Sequence, residues 1–195
     1  MIAQLQENKI YSPEEYLEFE ENSEERHEYI AGEIRLMTGG TPNHNKVAGN
    51  LYASLNFALK RQPYEVFMAE LRLWIPEKRI HTYPDVMVIS PPLEYAENRR
   101  DTVTDPLLIG EVLSRSTRNY DRGDKFIAYR TIPSFQEYIL IDQYSPHVEH
   151  YRKTEPNQWI FTEYDGLDAV LSLSSVSLQI ELADLYDKVN FGEEM

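Results

Sequence analysis

Two acidic residues lie in or beside short apolar runs of the sequence. Asp85 follows Pro84 and precedes the run at 86–89, and Glu111 lies within the apolar run at 107–113. An ionised carboxylate in a buried strand is costly unless it is paired or bound to a cation. Two carboxylates on neighbouring strands can share a divalent ion, because magnesium takes a few carboxylates together with water and substrate oxygens. The residues alone also allow an exposed Asp85 and a Glu111 paired with an arginine.

A cationic stretch follows Glu111 directly. Its cations and one tyrosine recur at helical spacings, so an early helix start would place them on one face: Arg118, Arg122, Lys125 and Tyr129. A metal on the carboxylates, with Arg118 and Arg122 meeting a phosphate, is a layout suited to phosphodiester hydrolysis. The alternative is a solvated helix in which Asp121 and Lys125 form a surface ion pair of small energetic value.

The elements that must position these residues can be read from apolar spacing and turn signals. Ser12, Pro13 and Glu15 form a capping box at a helix start. The pattern predicts helices over 12–22, 43–60 and 119–130, and a closing helical turn over 183–188. It predicts a hairpin of 28–30 with 33–36, and further strands over 64–75, 83–89, 107–113, 137–142, 147–153, 158–164 and 175–182. Mixed helices and strands without an internal linker predict one α/β or α+β domain over 1–195.

Several classes of protein are excluded or disfavoured. The 195 residues contain no cysteine, which excludes disulfides, iron–sulfur clusters and a thiol nucleophile. The common phosphate-loop, dinucleotide, serine-hydrolase and zinc-protease motifs are absent. His147 and His150 fall on opposite faces of a predicted strand, so a shared metal is not expected. Without a long apolar run or a signal pattern in residues 1–10, we expect a cytoplasmic protein with no membrane partner.

The overall charge is unevenly distributed. The chain carries a formal net charge of −14, which taken alone argues against a phosphate-rich partner. Residues 1–33 hold 10 acidic and 2 basic residues, and residues 131–195 hold 12 acidic and 3 basic residues. Residues 34–130 instead hold 14 basic and 11 acidic residues. A phosphate-facing surface would therefore be concentrated in the middle of the chain, although solvated faces would give a similar distribution.

The ordered motifs resemble a known group of proteins. The chain resembles the restriction-endonuclease-like PD-(D/E)XK superfamily, and more closely its bacterial Uma-two group, through Pro84-Asp85, the segment 111–114, and the segment 121–126 followed by Tyr129. The segments 11–17, 28–34, 42–45 and 133–138 also fit that group, so the resemblance covers roughly residues 10–190 in order. It implies a restriction-endonuclease-like α/β core, with a mixed central β-sheet flanked by α-helices and an active site at one sheet edge.

The resemblance also implies roles for particular residues. Asp85 and Glu111 would be ligands of Mg²⁺ or Mn²⁺, and the backbone carbonyl of Val112 would complete the coordination. Lys125 would be the lysine of the motif. The superfamily pattern places this lysine two residues after the glutamate, where this chain has Leu113, so Lys125 would have to reach the site from the following helix.

Two accessory residues follow from the same resemblance. Glu28 lies just before the predicted hairpin turn and would reach the site, although an ordinary surface ion pair suits it equally well. His44 opens the predicted helix 43–60, whose N-terminus favours anions, so it would contact phosphate; a capping or turn histidine is the alternative.

Three functions are compatible with the sequence. The first is a metal-dependent endonuclease that hydrolyses phosphodiester bonds of DNA. The second is a catalytically inactive nucleic-acid-binding or regulatory module of the same fold, which Leu113 and the acidic flanks favour. The third is an interaction scaffold, since the 14 tyrosines and the edge strands near the C-terminus suit a protein interface. We also expect a homodimer.

Overall fold

The computed structural model describes residues 9–192. Residues 1–8 and 193–195 of the predicted domain 1–195 lie outside the described residues. They include most of residues 1–10, in which no signal pattern was found. Helix α1 spans Pro13–Glu21 and begins with the predicted capping box, in which Ser12 Oγ accepts from the Glu15 amide at 3.1 Å. Helix α2 spans Pro42–Ala58. The predicted mixed α/β class is confirmed.

The centre of the molecule is a six-stranded mixed sheet. Its strands, in spatial order, are β11 (Gln158–Asp165), β10 (His147–Glu155), β9 (Glu137–Asp142), β8 (Pro106–Leu113), β6 (Val86–Ile89) and β3 (Glu65–Met68). Strands β8 and β9 pair in parallel, and the other neighbours pair antiparallel. The short apolar runs of β6, β8 and β9 are buried because both faces of this sheet are covered.

The two faces of the central sheet pack against different layers. On one face, the alternate residues Val86, Leu108 and Ile139 pack against α2. On the other face, Met87 and Ile109 pack with apolar residues of a second sheet and of the helical segment that follows β8. Because side chains alternate along a strand, Glu111 shares this second face with Ile109.

The second sheet has five strands. In spatial order they are β2 (Glu33–Leu36), β1 (His27–Ile30), β5 (Ile80–Thr82), β4 (Arg72–Ile75) and β7 (Thr102–Val103). Strands β1 and β2 form the predicted hairpin, whose two turn residues, Ala31 and Gly32, have φ values of 48° and 112°. Such positive φ values are typical of the tight turns that match the twist of a hairpin. This hairpin brings Glu28 towards the central sheet.

A helical segment follows β8 and covers the second face. It consists of α3 (Arg118–Tyr120), a π-helical turn (Asp121–Lys125) and α4 (Phe126–Tyr129). The predicted helix 119–130 is thus present, but its central turn is wider than an α-helical turn. Phe126 stacks on Tyr138 of β9 with ring centroids 5.5 Å apart, which fixes the segment against the sheet.

The C-terminal part closes the first face. Strands β12 (Val170–Leu173) and β13 (Leu178–Glu181) form a separate hairpin, and α5 (Leu182–Leu185) contacts α2. The fully buried carboxylate of Glu137 accepts the backbone amides of Ser174 and Ser175, at 2.8 and 3.0 Å, and a hydrogen bond from His150. This carboxylate fixes the turn of the hairpin to β9.

The predicted bounds of two strands are wrong. The segment 64–75 is divided into β3 and β4, which belong to different sheets, because the chain turns at 69–71. The segment 83–89 begins as a strand only at Val86, and the preceding Tyr83, Pro84 and Asp85 connect β5 to β6. In 64–75 the apolar alternation resumes directly after the bend, at Leu71 and Leu73, and in 83–89 the aromatic Tyr83 stands just before the apolar run, so each segment was interpreted as one strand. Strands β5, β7 and β12 were not predicted.

Two further features bear on the sequence-based expectations. His150 faces Glu137 in the interior, whereas His147 lies 2.7 Å from the exposed Asp165, so the two imidazoles face different surroundings. In the part of the chain that the structure describes, no helix combines the length and apolar character needed to cross a membrane.

His81 of β5 generates a prediction about stability. Its imidazole is 2% exposed and stacks on Trp74 with ring centroids 4.1 Å apart. Burial lowers the pKa of His81 to about 3, and the charge of Arg72 adds to this effect. The unfolded chain binds this proton below pH ~6.5, whereas the folded protein excludes it until the pH nears 3. The free energy of unfolding should therefore fall as the pH falls through this window, by about 2 kcal/mol at pH 5.

The variant His81→Phe tests this by removing the titration while keeping an aromatic ring in the stack. Chemical denaturation gives the free energy of unfolding at pH 7 and at pH 5. Its decrease from pH 7 to pH 5 should be about 2 kcal/mol smaller in the variant than in the wild type. An equal loss in both proteins would contradict the prediction.

Candidate active site

A half-open cleft of roughly 410 Å³ lies where the two sheets and the helical segment meet. Two loops, 37–41 and 114–117, form its rim. Its charged lining residues, which we call the acidic cleft, are four carboxylates, one histidine and two cations: Glu28, Asp85, Glu111, Asp121, His44, Arg115 and Lys125. All five side chains to which the resemblance gives roles in the site line this cleft.

Asp85 and Glu111 lie side by side at the edge of the central sheet. The pairing of β6 with β8 reaches Val86 and Gly110, so the next residues outward are Asp85 and Glu111. The Asp85 amide lies 3.4 Å from Glu111 Oε2, and Asp85 Oδ2 accepts a hydrogen bond from the Val112 amide at 2.7 Å. The side chain of Asp85 is only 17% exposed, so it is not the solvated strand start that the alternative proposed.

Val112 contributes its backbone to the same edge. In a β-strand the N–H and C=O groups of one residue project to the same side. Since the Val112 amide faces Asp85, its carbonyl oxygen projects towards the same edge. The backbone carbonyl is thus on the side where the family resemblance implies a metal ligand.

Lys125 enters the cleft from the π turn. Its Nζ lies 2.8 Å from Glu111 Oε1, 3.6 Å from Asp121 and 3.7 Å from Glu28. The Tyr129 hydroxyl donates a 2.7 Å hydrogen bond to the same Glu111 oxygen. Lys125 therefore makes the ion pair with Glu111 that Leu113, at the usual lysine position, cannot make.

The buried charges of this group perturb one another. Burial raises the pKa of Glu111, Asp85 and Asp121 raise it further, and Lys125 opposes the change. Burial disfavours the Lys125 ammonium, but the carboxylates of Glu111, Glu28 and Asp121 outweigh this and raise the pKa of Lys125. Lys125 is therefore a permanent cation, and the negative charge around it exceeds its own.

His44 lies at the start of α2, on the other side of Asp85. Its Nε2 is 3.3 Å from Asp85 Oδ2, and Thr41, the cap of α2, accepts the His44 amide at 3.1 Å. Burial lowers the pKa of His44, but the hydrogen bond to Asp85 and the nearby carboxylates outweigh it, so the net shift is upward. His44 thus lies at the start of a helix and directly contacts Asp85, a candidate metal ligand.

Gln143 connects three elements behind His44. Its amide nitrogen donates to the Leu113 carbonyl at 2.7 Å, and its amide oxygen accepts from the Thr41 hydroxyl. It thereby links the end of β8 to the cap of α2. The position of His44 relative to Asp85 depends on this link, which sequence reasoning missed because Gln143 follows β9 in an ordinary polar segment.

Glu28 comes from the hairpin of the second sheet. It accepts a hydrogen bond from the Thr82 hydroxyl and lies 3.7 Å from Lys125. Its side chain is 16% exposed, so it is not an ordinary surface pair. The acidic cleft is therefore built from both sheets.

The two arginines predicted to bind phosphate are not brought to the cleft, and the predicted common face is wrong. Arg118 is exposed, and Arg122 pairs with Glu149 of β10 at 2.6 Å. The wide π turn rotates Arg122 outward and places Asp121 in line with Lys125 and Tyr129. The alternative of a surface Asp121–Lys125 pair is also wrong, because both side chains are buried.

Several residues of the cleft were not predicted. Asp121, Tyr120 and Arg115 line it, and Gln143 supports it. The four-residue spacing of Asp121, Lys125 and Tyr129 is a signal that could have identified Asp121. The sequence contains no comparable signal for Tyr120.

The residues fit a magnesium-type ion in chemistry and number of donors. Within residues 9–192, no three acidic or histidine side chains converge closely enough to enclose a metal by themselves. Magnesium, however, commonly uses one or two carboxylates and retains water. Asp85, Glu111 and the Val112 carbonyl supply the hard oxygen donors for such a site.

Comparisons with known proteins agree with this architecture. Residues 13–184 match the model of the Uma2 family, described as "Putative restriction endonuclease". The uncharacterized protein sll1609 of Synechocystis sp. is 43% identical over 170 residues, covering 87% of this chain and 96% of that protein. A second Synechocystis protein, slr1290, is 35% identical over 182 residues, covering 92% of this chain and 93% of that protein.

A solved structure shares the fold. The crystal structure of a protein from Anabaena variabilis, described as a "putative nuclease belonging to DUF820", superposes with a TM-score of 0.74, at 23% identity, over 90% of this chain and 97% of that chain. Together with the family match over residues 13–184, these likenesses establish that the chain belongs to the Uma2 family.

Proposed function

We propose that this protein is a metal-dependent endonuclease that hydrolyses phosphodiester bonds of DNA with Mg²⁺ or Mn²⁺. The observation that carries the proposal is the arrangement around Glu111. Its Oε1 is held by Lys125 and Tyr129, at 2.8 and 2.7 Å, and its Oε2 lies beside the Asp85 amide at 3.4 Å. This is an ordered pair of carboxylates with an adjacent buried lysine.

The charge of the cleft argues for a metal ion. Its lining contains four carboxylates and two permanent cations. A phosphate would be repelled by such a lining unless a divalent cation offset part of the negative charge. The acidic cleft is therefore better suited to a phosphate with a metal ion than to a phosphate alone.

The residues can be given roles that follow from their contacts. A divalent ion bound to Asp85, Glu111 and the Val112 carbonyl would neutralise the phosphate and acidify a bound water. Lys125 stabilises the negative charge that develops on the phosphate in the transition state. His44 orients Asp85, and Glu28 with Asp121 holds Lys125 in place.

DNA is the proposed substrate because of the charge distribution and the family likeness. The central segment 34–130, which supplies most of the cleft, is the net basic part of the chain. The descriptions of the family and of the Anabaena structure both name nucleases. The acidic flanks predict weak non-specific binding that declines steeply with salt.

A catalytically inactive DNA-binding module of the same fold is the second candidate. The observation in its favour is Leu113, which occupies the position of the usual lysine. The contact of Lys125 with Glu111 weakens this argument. The candidate predicts salt-dependent DNA binding without cleavage.

Cleavage of supercoiled plasmid tests the proposal. The wild type should nick or linearise the plasmid with Mg²⁺ or Mn²⁺, and chelation with EDTA should stop the reaction. Asp85→Asn and Lys125→Met should each lower the rate about 100-fold or more, since the first removes a charged ligand of the proposed metal ion and the second removes the cation beside the phosphate. The matched control is Lys188→Met, because Lys188 is 83% exposed and outside the cleft. Equal cleavage by all four proteins would refute catalysis at this site, and binding without cleavage would favour the second candidate.

Tyr129→Phe tests whether the orientation of Glu111 matters for metal binding. The variant removes the hydroxyl that donates to Glu111 Oε1. Loss of such a supporting hydrogen bond should weaken Mn²⁺ binding roughly 10- to 100-fold, as measured by calorimetry. Tyr16→Phe is the control, because its buried hydroxyl donates to the backbone carbonyl of His27, outside the cleft. Similar Mn²⁺ affinities in both variants would show that Tyr129 has no specific role.

A further inference from the structure

The hydroxyl of Tyr120 is an unsatisfied polar group in the wall of the acidic cleft. Tyr120 lines the cleft at the end of α3, and its hydroxyl oxygen is buried without a hydrogen-bond partner within residues 9–192. The Nδ1 atom of His81 is the other such side-chain atom in that range. A buried hydroxyl without a partner costs stability, so its retention calls for an explanation.

The charged groups around Tyr120 already have partners. Glu28 accepts from the Thr82 hydroxyl, and Lys125 is engaged by Glu111. Asp121, the next residue along the chain, lies 3.6 Å from Lys125. None of these groups accepts a hydrogen bond from the Tyr120 hydroxyl, so its donor is unused.

The protonation state of Tyr120 suits a donor. Burial and the charge of Glu28 raise the pKa of Tyr120 to about 12, so the phenol stays protonated at neutral pH. A neutral O–H group can donate to an oxygen without adding to the negative charge of the cleft. A ligand that completes it must therefore present a hydrogen-bond acceptor, which the oxygens of a phosphate supply.

We propose that Tyr120 is a further catalytic residue, whose hydroxyl donates a hydrogen bond to an oxygen of the phosphate group bound in the acidic cleft. This inference rests on the proposed function, because the ligand is the phosphate of the same site. Tyr120 and Lys125 would contact the phosphate from neighbouring turns of the helical segment. The hydroxyl takes no part in bond making, and its proton stays on the phenol oxygen.

The variant Tyr120→Phe separates this role from a structural one. It deletes only the hydroxyl and leaves the ring in the wall of the cleft. The cleavage rate in the presence of Mg²⁺ should fall about 100-fold, as for loss of one donor to a transition-state oxygen. The thermal midpoint should stay the same or rise, because no hydrogen bond within the described protein is lost. Tyr95→Phe, at an exposed position outside the cleft, is the control and should keep the wild-type rate.

A second measurement does not depend on cleavage. Inorganic phosphate with Mg²⁺ should raise the thermal midpoint of the wild type and of Tyr95→Phe, and raise that of Tyr120→Phe distinctly less. This result supports the inference even if the wild type cleaves no DNA, in which case only the proposed function fails. Where the wild type does cleave DNA, an equal cleavage rate in Tyr120→Phe overturns the inference. So do equal phosphate shifts, or a wild type that does not respond to phosphate.

Discussion

Lys125 and Glu111 form a buried ion pair, and much of the molecule is arranged around it. The two side chains are 8% and 5% exposed, and their atoms approach to 2.8 Å. Removing such charges from water costs several kcal/mol per ion, and one partner does not offset this unless other polar groups contribute. Tyr129, Asp121 and Glu28 supply those contributions. Because these residues come from the helical segment and from the second sheet, the pair requires both layers to be docked on the central sheet.

The packing of α2 completes the cleft from the opposite face. Gly110 precedes Glu111 on β8, and a Cβ atom there would collide with the side chain of Leu51. The absence of a side chain lets α2 lie close to β8, which brings His44 within 3.3 Å of Asp85. Gln143 then connects the cap of α2 to the end of β8. Residues from both faces of the sheet thus meet at one edge.

The parts of the fold that could be predicted are those governed by local patterns. The capping box, the hairpin turn and the apolar runs of β6, β8 and β9 each carry a strong signal within a few residues. The division of 64–75 was missed because apolar alternation resumes directly after the bend, at Leu71, and the choice of sheet depends on distant partners. The proximity of Asp85 and Glu111 was predictable, since Asp85 precedes one buried strand and Glu111 lies within another. The outward rotation of Arg122 was not, because a π turn has no clear mark in the sequence.

The origin of Lys125 on a helix, and not on β8, has a consequence for how this chain can change. A lysine two residues after the glutamate on the same strand would keep its distance from that glutamate when the neighbouring loops changed in length. Here the 13 residues at 112–124 separate Glu111 from Lys125, and they include the largely exposed rim 114–117 and the first helical turns. An insertion or deletion in that stretch would shift Lys125 along or around its helix and away from Glu111. The length of the loop 114–117 should therefore be far less free to vary than that of other surface loops of this protein.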